Sequence, residues 1–512
     1  MHGKMRGIPA PTFYHERMIC LGVDCGTQST KTIALDLETG QVLATAHRAY
    51  GILPAPEPGV MEQNPADWWD AAEATIREVL EALGPRRDDV RGIGVSGQQH
   101  GLVVLDENDE VVRPAKLWCD TSTAGQCGEI HDHFGGMDRV IELAGNPMLP
   151  GYTAPKILWI REREPENWRR TASVLLPHDY LNFRLTGEKR MEFGDASGTA
   201  LLDVREREWC APIVEFVAPD LAEKLPPLRS SLEPVGTLKA GLLAEWGLSG
   251  PVTVSAGGGD NMMSAIGTGN LGSGVVTASL GTSGTICACS EAAVIDPAGE
   301  IAAFCDSTDR WLPLVCTMNV TLVTETVRHL FGWDHAACDE AIRSVKPGSD
   351  GLLLLPYLTG ERTPNLPRGC GVFHGLTTTN FTAPHLARAA MEGVTLGLGY
   401  GLQRLRTLGV SPTEIRLTGG GSLSPVWRQI CADVFETPVV GLATGEGGAL
   451  GAAIQAASQA EGGSGESISA LAARLVRCDE STRAVPAADS PYAGLIERSK
   501  RLRAALSDSA LL

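Results

Sequence analysis

Short apolar runs and longer amphipathic stretches alternate along the N-terminal half of the chain, which is typical of an α/β fold. The first runs come in quick succession and predict strands joined by turns, such as the Glu38-Thr39-Gly40 turn. A helix is then predicted to begin at Pro65, with Asn64 at the N-cap. The predicted elements are strands over Met18–Asp24, Thr32–Leu37, Gln41–Ala49 and Val90–Ser96, and a helix over Pro65–Leu83.

The second half of the chain repeats this order of elements. A glycine- and alanine-rich helix near its end must pack closely against a neighbour, because its side chains are so small. Predicted strands are Val252–Ala256, Ile415–Leu417 and Val439–Leu442, and predicted helices are Pro384–Leu408, Pro425–Phe435 and Glu446–Ala457. A loop over 457–467 and an amphipathic C-terminal helix follow, and the repetition predicts two duplicated domains that meet near residues 250–262.

Two glycine-threonine turns, one in each half, follow strand-like runs. They lie within Val23–Lys31 and Ser279–Thr285. Glycine lets backbone N–H groups approach an anion closely, and the threonine and serine hydroxyls add donors. One such turn is weak support for phosphate binding, but two of them predict a polyphosphate held between duplicated domains.

Composition and charge narrow the classes of function. The chain has 512 residues, of which 43% are hydrophobic and 20% are charged, so it can form large cores. Its net charge of -18 argues against a nucleic-acid partner, since a phosphate backbone attracts a basic surface. A local set of N–H groups can still hold a nucleotide in an acidic protein.

The cysteines and the N-terminus indicate a cytoplasmic protein. None of the 13 cysteines forms a CxxC pair, and Cys287 and Cys289 lack a second ligand pair for zinc, so reduced structural thiols are expected. Residues 1–17 lack the apolar segment of a signal peptide, and Met18 is expected to begin the folded part after a loose extension. No apolar stretch reaches membrane-spanning length.

Two aspartates lie at the ends of predicted strands, at positions suited to phosphoryl transfer. Asp24 precedes the first turn, where a carboxylate can position a magnesium ion beside phosphates, or can simply bind its own turn. Asp260 follows Gly257-Gly258-Gly259, where it can accept the proton of an attacking hydroxyl, or can cap the next helix before Asn261.

Further polar residues occur in turns. Gly419-Gly420-Gly421-Ser422 lies between a strand and a helix, which suits close approach to an α-phosphate or ribose, although such a run is often only a turn. His100 can bind a polar ligand or be structural. Trp118 and Asp120 offer an aromatic face and a carboxylate, a common way to hold a sugar.

Taken in order, these motifs resemble those of the FGGY family of carbohydrate kinases, within the actin-like ATPase superfamily. The first and second turns resemble its two phosphate motifs, Leu417–Trp427 its adenosine motif and Gly445–Ala457 its second connecting helix. The segments that resemble the family's ketopentose kinases are 96–101, 149–156, 177–181 and 358–364, and Gly257–Asn261 matches the family's Gly-Gly-Gly-Asp-Asn.

The resemblance implies two actin-like (ribonuclease H-like) ATPase domains, each a mixed five-stranded sheet flanked by helices, with a catalytic cleft between them. It implies a sugar-side N-terminal domain over 18–255, an ATP-side C-terminal domain over 256–490 and a C-terminal helix over 491–512. The implied reaction is ATP-dependent phosphorylation of the terminal hydroxyl of a ketopentose, with D-xylulose as the first candidate. The implied partners are the sugar, ATP and Mg²⁺, without nucleic acid or membrane, and similar kinases are commonly homodimers.

The resemblance also implies a role for each site residue. Asp260 is the expected catalytic base and, with Asp24, a metal-site residue. Sugar binding is expected from Gln99, His100, Trp118, Asp120, Asp260 and Asn261. ATP binding is expected from Gly26, Thr27, Gln28, Lys31, Gly281, Thr282, Ser283, Gly419, Gly420, Gly421 and Ser422.

Two positions depart from the family members that act on xylulose. Those members usually have Met-His-Gly where this chain has Gln99-His100-Gly101, and Trp-Asn-Asp where it has Trp118-Cys119-Asp120. Both departures leave the sugar open to ribulose, a deoxyketose or a pentitol. An actin-like ATPase without sugar chemistry, or a sugar sensor, shares the phosphate turns but does not need the sugar-side segments.

Overall fold

The computed structural model describes residues 18–445, 447–460, 465–509 and 511–512. The extension predicted for residues 1–17 lies outside them. The described residues form two large sheets of seven strands each, two strands more than the resemblance implied. Three of the extra strands add to sheet edges, where unpaired backbone groups accept neighbouring segments, and the fourth pairs with an interior strand of the N-terminal sheet.

The N-terminal sheet has the order β5-β6-β4-β1-β2-β3, and β7 also pairs with β4. The hairpin strands β1, β2 and β3 pair antiparallel, while β1 pairs parallel with β4. Its strands are β1 Ile19–Cys25, β2 Ser29–Asp36, β3 Val42–Ala49, β4 Val90–Gly97, β5 Gly236–Thr237, β6 Thr253–Val254 and β7 Gly258–Gly259.

The C-terminal sheet has the order β10-β11-β9-β8-β12-β13-β14. Here β8 and β9 form the antiparallel hairpin, and β8 pairs parallel with β12, so the arrangement around the central strand repeats that of the first sheet. Its strands are β8 Val275–Leu280, β9 Gly284–Ala288, β10 Ala302–Cys305, β11 Trp311–Thr317, β12 Glu414–Thr418, β13 Val439–Leu442 and β14 Cys478–Ala484.

Helices flank both sheets, because each parallel strand pair needs a crossover connection. The described helices are α1 Pro65–Leu83, α2 Ala124–Phe134, α3 Met137–Ala144, α4 Thr153–Arg163, α5 Pro165–Arg170, α6 Pro177–Thr186, α7 Phe193–Ala196, α8 Ala211–Val217, α9 Leu221–Lys224, α10 Ala240–Glu245, α11 Asp260–Gly267, α12 Thr321–Leu330, α13 His335–Arg343, α14 Ala383–Thr407, α15 Pro425–Phe435, α16 Gly447–Ala460, α17 Gly465–Leu475 and α18 Tyr492–Asp508. None of them has the combined length and apolar character that a membrane crossing needs.

Five small two-stranded sheets complete the described fold. They pair Glu62–Gln63 with Ala115–Lys116, Val103–Leu105 with Ser173–Leu175, Met191–Glu192 with Leu228–Arg229, Leu202–Asp203 with Glu208–Trp209, and Leu353–Pro356 with Gly371–His374. The predicted bounds of α1, α15 and β13 match the structure, and those of the other predicted elements differ by one to three residues at one or both ends. Glu446, the predicted start of α16, lies outside the described residues.

One detail of the sequence prediction is wrong. The loop predicted over 457–467 is helical at both ends, because Ser458 and Gln459 are buried as part of α16, which extends to Ala460, and α17 begins at Gly465; residues 461–464 lie outside the described residues. Asn64 is at the N-cap of α1, as predicted, although its side chain makes no capping hydrogen bond.

Helix α16 packs on the N-terminal sheet and on α11 through backbone-to-backbone contacts, which confirms the predicted close packing. A Cβ added to Gly22 of β1 would lie 1.8 Å from the Ala449 carbonyl oxygen. One added to Gly451 of α16 would lie 1.8 Å from the Met263 carbonyl oxygen. No side chain fits at either position, so glycine is required for α16 to lie against both partners.

The same helix holds the chain that leads to Asp260. Gln455 accepts a hydrogen bond from Gly257 N at 2.8 Å and donates to Gly257 O at 3.1 Å. Gln459 accepts from Ala256 N at 2.8 Å and donates to Ser231 O at 2.8 Å. The two buried side-chain amides thus form hydrogen bonds with backbone groups that are not paired in the sheet, because strands β6 and β7 are so short.

Candidate active site

The two glycine-threonine turns close the central hairpins of the two sheets, as predicted. In the first turn, between β1 and β2, Gly26 N donates to Ser29 O at 3.0 Å. In the second, between β8 and β9, the carbonyl oxygens of Gly281 and Thr282 accept hydrogen bonds from the first residues of α12, including Thr321 N at 2.9 Å. Gln28 and Thr282 are exposed.

The Thr27 hydroxyl joins the first turn to residues predicted to bind sugar. It donates to Gln98 Oε1 at 3.1 Å and accepts from Trp118 Nε1 at 2.9 Å. Arg362 Nη2 donates to Trp118 O at 3.2 Å, and its Nη1 lies 3.8 Å from Cys316 Sγ on β11. This chain of contacts connects the first turn with the C-terminal sheet, where β11 pairs with β9 directly after the second turn.

The turn formed by Gly419–Ser422 lies against the second glycine-threonine turn. Gly419 has φ +80°, and a Cβ there would lie 2.7 Å from the Leu280 carbonyl oxygen, so only glycine fits. A Cβ on Gly420 would meet no atom within 4 Å, so its backbone faces open space. Gly421 packs on Trp427, and the Ser422 hydroxyl donates to Gly419 O at 2.7 Å. The turn therefore offers an accessible backbone beside Gly281.

Asp24 and Asp260 come together at the carboxyl ends of β1 and β7, which both pair in parallel with β4. Asp24 of β1 is paired in register with Ser96 of β4, whose hydroxyl donates to Asp24 Oδ1 at 2.7 Å. Gly259 of β7 is paired with Gly97 of β4, and Asp260 begins α11 directly afterwards. Gly448, at the start of α16, lies against the Asp24 carboxylate, where a Cβ would be 2.8 Å from Oδ1.

The surroundings of Asp260 suit a general base. Burial raises its pKa to about 7, and the negative charges of Asp24 and Asp195 add to the rise, while hydrogen bonds from Asn261 oppose it. Asn261 donates to Asp260 Oδ1 from its backbone N at 2.8 Å and from Nδ2 at 3.0 Å. A carboxyl group with this pKa can take up a proton near neutral pH.

Of the residues predicted to bind sugar, Asn261 contacts this carboxylate and Gln99 contacts Asn261. His100 has φ +64°, and its ring packs edge-on against Tyr152 with 5.0 Å between ring centroids. Burial lowers the pKa of His100 well below its ordinary value, with Lys156 and Arg362 adding to the effect, so the ring is neutral. Gln99 Oε1 accepts from Asn261 Nδ2 at 2.7 Å.

Asp120 is fully buried, and protein donors already use its carboxylate. Oδ2 accepts from Met61 N at 2.9 Å and from Lys116 Nζ at 3.1 Å. Oδ1 accepts from Ser122 N at 3.0 Å and from its hydroxyl at 2.6 Å. Asp120 thus fixes the loop that carries Trp118. Cys119 between them has a raised pKa because of burial, so its thiol is neutral.

Sequence reasoning gave no role to three residues that complete this region. Arg362 contacts Trp118 from the C-terminal half, with its guanidinium carbon 5.7 Å from the ring centroid. Lys156 is fully buried and donates to His100 O at 2.6 Å and to Gly151 O at 2.8 Å, and burial lowers its pKa to about 7. Tyr152 packs on His100. All three occur in segments that carried the family resemblance, which was the one available signal.

The carboxylates of Asp24 and Asp260 suit Mg²⁺, which also binds water and substrate phosphates, better than a metal ion bound by protein side chains alone. Among the described residues, no group of three or more His, Cys, Asp or Glu side chains could hold a metal ion. Asp24 and Asp260 form a pair of nearby carboxylates, and Mg²⁺ is typically held by one or two carboxylates together with water and substrate phosphates. All 13 cysteines are free of disulfide bonds.

Comparison with known proteins agrees with this geometry. The chain matches the N-terminal domain of the FGGY family of carbohydrate kinases over residues 19–267 and its C-terminal domain over residues 276–460. It is 40% identical to a xylulose kinase of Haemophilus influenzae over 91% of this chain and 95% of the relative. It is 38% identical to a xylulose kinase of Streptomyces coelicolor over 97% of this chain and 98% of the relative.

A solved structure shares the whole architecture. The crystal structure of xylulose kinase from Rhodospirillum rubrum superposes with a TM-score of 0.86 at 29% identity, covering 95% of this chain and 99% of that one. The two-domain arrangement of mixed sheets flanked by helices is therefore that of the kinase fold which the motifs implied. The chain belongs to the FGGY family of carbohydrate kinases, enzymes that use ATP to phosphorylate sugars.

Proposed function

We propose that this protein transfers the γ-phosphoryl group of ATP to the terminal hydroxyl of D-xylulose, which gives D-xylulose 5-phosphate. The observation that carries the proposal is the Asp260 carboxyl group, with a pKa of about 7, beside the sugar-side residues and Asp24. Relatives named xylulose kinase, at 40% and 38% identity over most of the chain, support D-xylulose as the sugar.

Asp260 would act as the general base. Its carboxylate would orient the terminal hydroxyl and accept its proton as the oxygen attacks the γ-phosphorus. The hydrogen bonds from Asn261 hold one carboxylate oxygen, which leaves the other for the sugar. Phosphoryl transfer depends mainly on positioning and charge stabilisation, so this fixed orientation supplies part of the rate.

His100, Trp118 and Asn261 would bind the sugar, with Asp120 acting through the loop that it stabilises. His100 Nδ1 is enclosed by the fold, where a Cβ on Gly198 would be 2.4 Å away, so Nε2 is the ring nitrogen available to a sugar hydroxyl. Because the ring is neutral, Nε2 can accept or donate according to its tautomer. Trp118 would offer an aromatic face to the carbon skeleton.

The phosphates of ATP would lie between the two turns. The backbone and hydroxyl groups of the first turn, with Gln28 and Lys31, would contact them from one side. Gly281, Thr282 and Ser283 would contact them from the other, and Gly419–Ser422 would approach the α-phosphate and the nucleoside. Asp24 and Asp260 would hold Mg²⁺, which when bound supplies positive charge that offsets the charge of the phosphates.

A panel of sugars tests this proposal. Purified enzyme is given MgATP and one sugar at a time, namely D-xylulose, D-ribulose, a deoxyketose or a pentitol, and ADP release is measured. The proposal expects the highest kcat/KM with D-xylulose. A higher kcat/KM with another sugar would replace the substrate and keep the enzyme class, while ADP release that no sugar stimulates would overturn the proposal.

The proposal includes a cytoplasmic location and a homodimeric state. Thirteen free thiols fit a reducing compartment, and the homodimer rests on the resemblance alone. Size-exclusion chromatography with light scattering tests the dimer, which predicts about twice the chain mass of 54.2 kDa.

A further inference from the structure

The Gln99 side chain is held away from solvent. It is 4% exposed, and it runs across Gly259, where a Cβ would lie 2.6 Å from Gln99 Cγ. Its Oε1 accepts from Asn261 Nδ2 at 2.7 Å. Its Nε2 is buried and has no hydrogen-bond partner among the described residues. Because Nε2 is shielded from solvent, a partner for it is expected within the protein interior.

Asp195 on α7 offers a complementary atom nearby, since a Cβ on Gly198, three residues after Asp195, would lie 3.6 Å from Gln99 Nε2. It is fully buried, and its Oδ1 has no hydrogen-bond partner within the described part of the chain. Burial raises the pKa of Asp195, while His178 and the nearby amide of Gln99 oppose the rise. An unpaired buried donor beside an unpaired buried acceptor costs free energy, which a small rotation of the amide relieves.

Behind Asp195 lies a rigid array of charges. Asp195 Oδ2 lies 2.9 Å from His178 Nδ1, and His178 Nε2 lies 3.0 Å from Asp179 Oδ1. Asp179 Oδ2 in turn accepts from Leu176 N at 2.9 Å, at the start of α6. His178 also packs under β4, where a Cβ on Gly97 would lie 2.8 Å from His178 Cβ. The array cannot move without disturbing a helix start and a strand end.

We propose that Gln99 is a positioning residue that links Asn261 to the buried Asp195–His178–Asp179 array, and so fixes the orientation of Asn261 and Asp260. The inference rests on the proposed function, in which both residues meet the sugar. It also gives a reason for the glutamine where xylulose-specific relatives usually have methionine, since methionine can make neither amide contact. On this account Gln99 acts on turnover and does not select the sugar.

Gln99→Met tests the link, because methionine has a similar volume and no amide. Since small misplacements of a reacting group are costly, we expect kcat to fall about tenfold to a hundredfold. Every accepted ketose should lose the same factor, and KM for the sugar should change less than about threefold. Gln126→Met is the matched control: Gln126 is also 4% exposed, on α2, and should keep wild-type kinetics.

Asp195→Asn and the double variant test the second half of the link. If Gln99 acts through Asp195, the double variant should lose about as much activity as the more impaired single variant. Multiplicative losses would overturn the link to Asp195. If Gln99→Met does not fold, as judged by thermal unfolding, Gln99→Asn replaces it, because the shorter amide cannot reach both partners and is expected to lower kcat as well.

The outcomes separate this inference from the proposed function. Unchanged kcat in Gln99→Met, with an active wild-type enzyme, overturns the positioning role alone. A loss confined to one sugar, or a KM effect without a kcat effect, shows direct sugar contact and also overturns it. A wild-type enzyme that no sugar stimulates overturns the proposed function instead.

Discussion

Gly22→Ala is expected to destabilise the protein strongly through the contact between β1 and α16. The new Cβ would lie 1.8 Å from the Ala449 carbonyl oxygen, whereas non-bonded heavy atoms pack at roughly 3.5 Å. Backbone lies on both sides, so no side chain can rotate away, and the helix must shift by more than about 1 Å. The shift would also open the equally close contact at Gly451.

The size of the effect follows from overpacking and from lost contacts. Overpacking a core costs about 1–3 kcal/mol. A radial gap of about 0.5–1 Å beside a buried helix also removes a quarter to a half of the dispersion energy of each atom contact that it opens. We therefore expect a loss of about 3 kcal/mol or more, which lowers the unfolding midpoint by about 6–12 °C for a domain of this size. Because α16 begins against Asp24, activity should fall as well.

Thermal unfolding of two alanine variants checks this reasoning. Gly125→Ala in α2 is the control, because a Cβ there meets no atom within 4 Å. Alanine favours a helix over glycine by about 0.5–1 kcal/mol, so the control should be unchanged or slightly more stable. An unfolding midpoint for Gly22→Ala equal to that of Gly125→Ala would refute the packing argument.

Three further predictions concern the active site. The kcat/KM for the sugar should fall about tenfold per pH unit below pH 7, because the pKa of Asp260 is about 7 and its protonated form cannot accept a proton; a flat profile between pH 6 and 8 would contradict this. Asp24→Asn should raise the Mg²⁺ concentration for half-maximal activity by on the order of tenfold, and unaltered magnesium dependence would remove Asp24 from the metal site. Arg362→Met should raise the sugar KM about tenfold through lost contacts to Trp118, and an unchanged KM would leave Arg362 without a role in the cleft.

The sequence predicts the architecture well because its signals are local. Pro65 after Asn64 defines the start of α1, and Pro425 defines that of α15. The glycine-rich composition of α16 predicts close packing. It does not identify the packing partners, because these are set by contacts between segments far apart in the sequence. The short β7 strand was missed, because two glycines carry neither β-propensity nor periodicity.

Site residues were predictable where a chemically suitable side chain lies at the end of a predicted strand. Asp24 lies near the end of β1 and Asp260 directly follows β7, and both strand ends meet at one edge of the sheet. Arg362 and Lys156 contact the site from distant segments, so nothing local assigned their roles. Four protein donors bind the Asp120 carboxylate, and Asn261 donates to Gln99. These hydrogen bonds form between segments that the fold brings together, so the sequence alone does not reveal them.

Asp260 is proposed as the base in phosphorylation of a sugar. The most direct measurement compares the wild-type enzyme with Asp260→Asn in D-xylulose-dependent ADP release at saturating MgATP. Asparagine keeps an oxygen that can accept from Asn261, so the fold and the sugar KM should be retained. We expect the kcat of Asp260→Asn to be lower than that of the wild-type enzyme by a factor on the order of 10²–10⁴. A folded variant that turns over D-xylulose at the wild-type rate would contradict it.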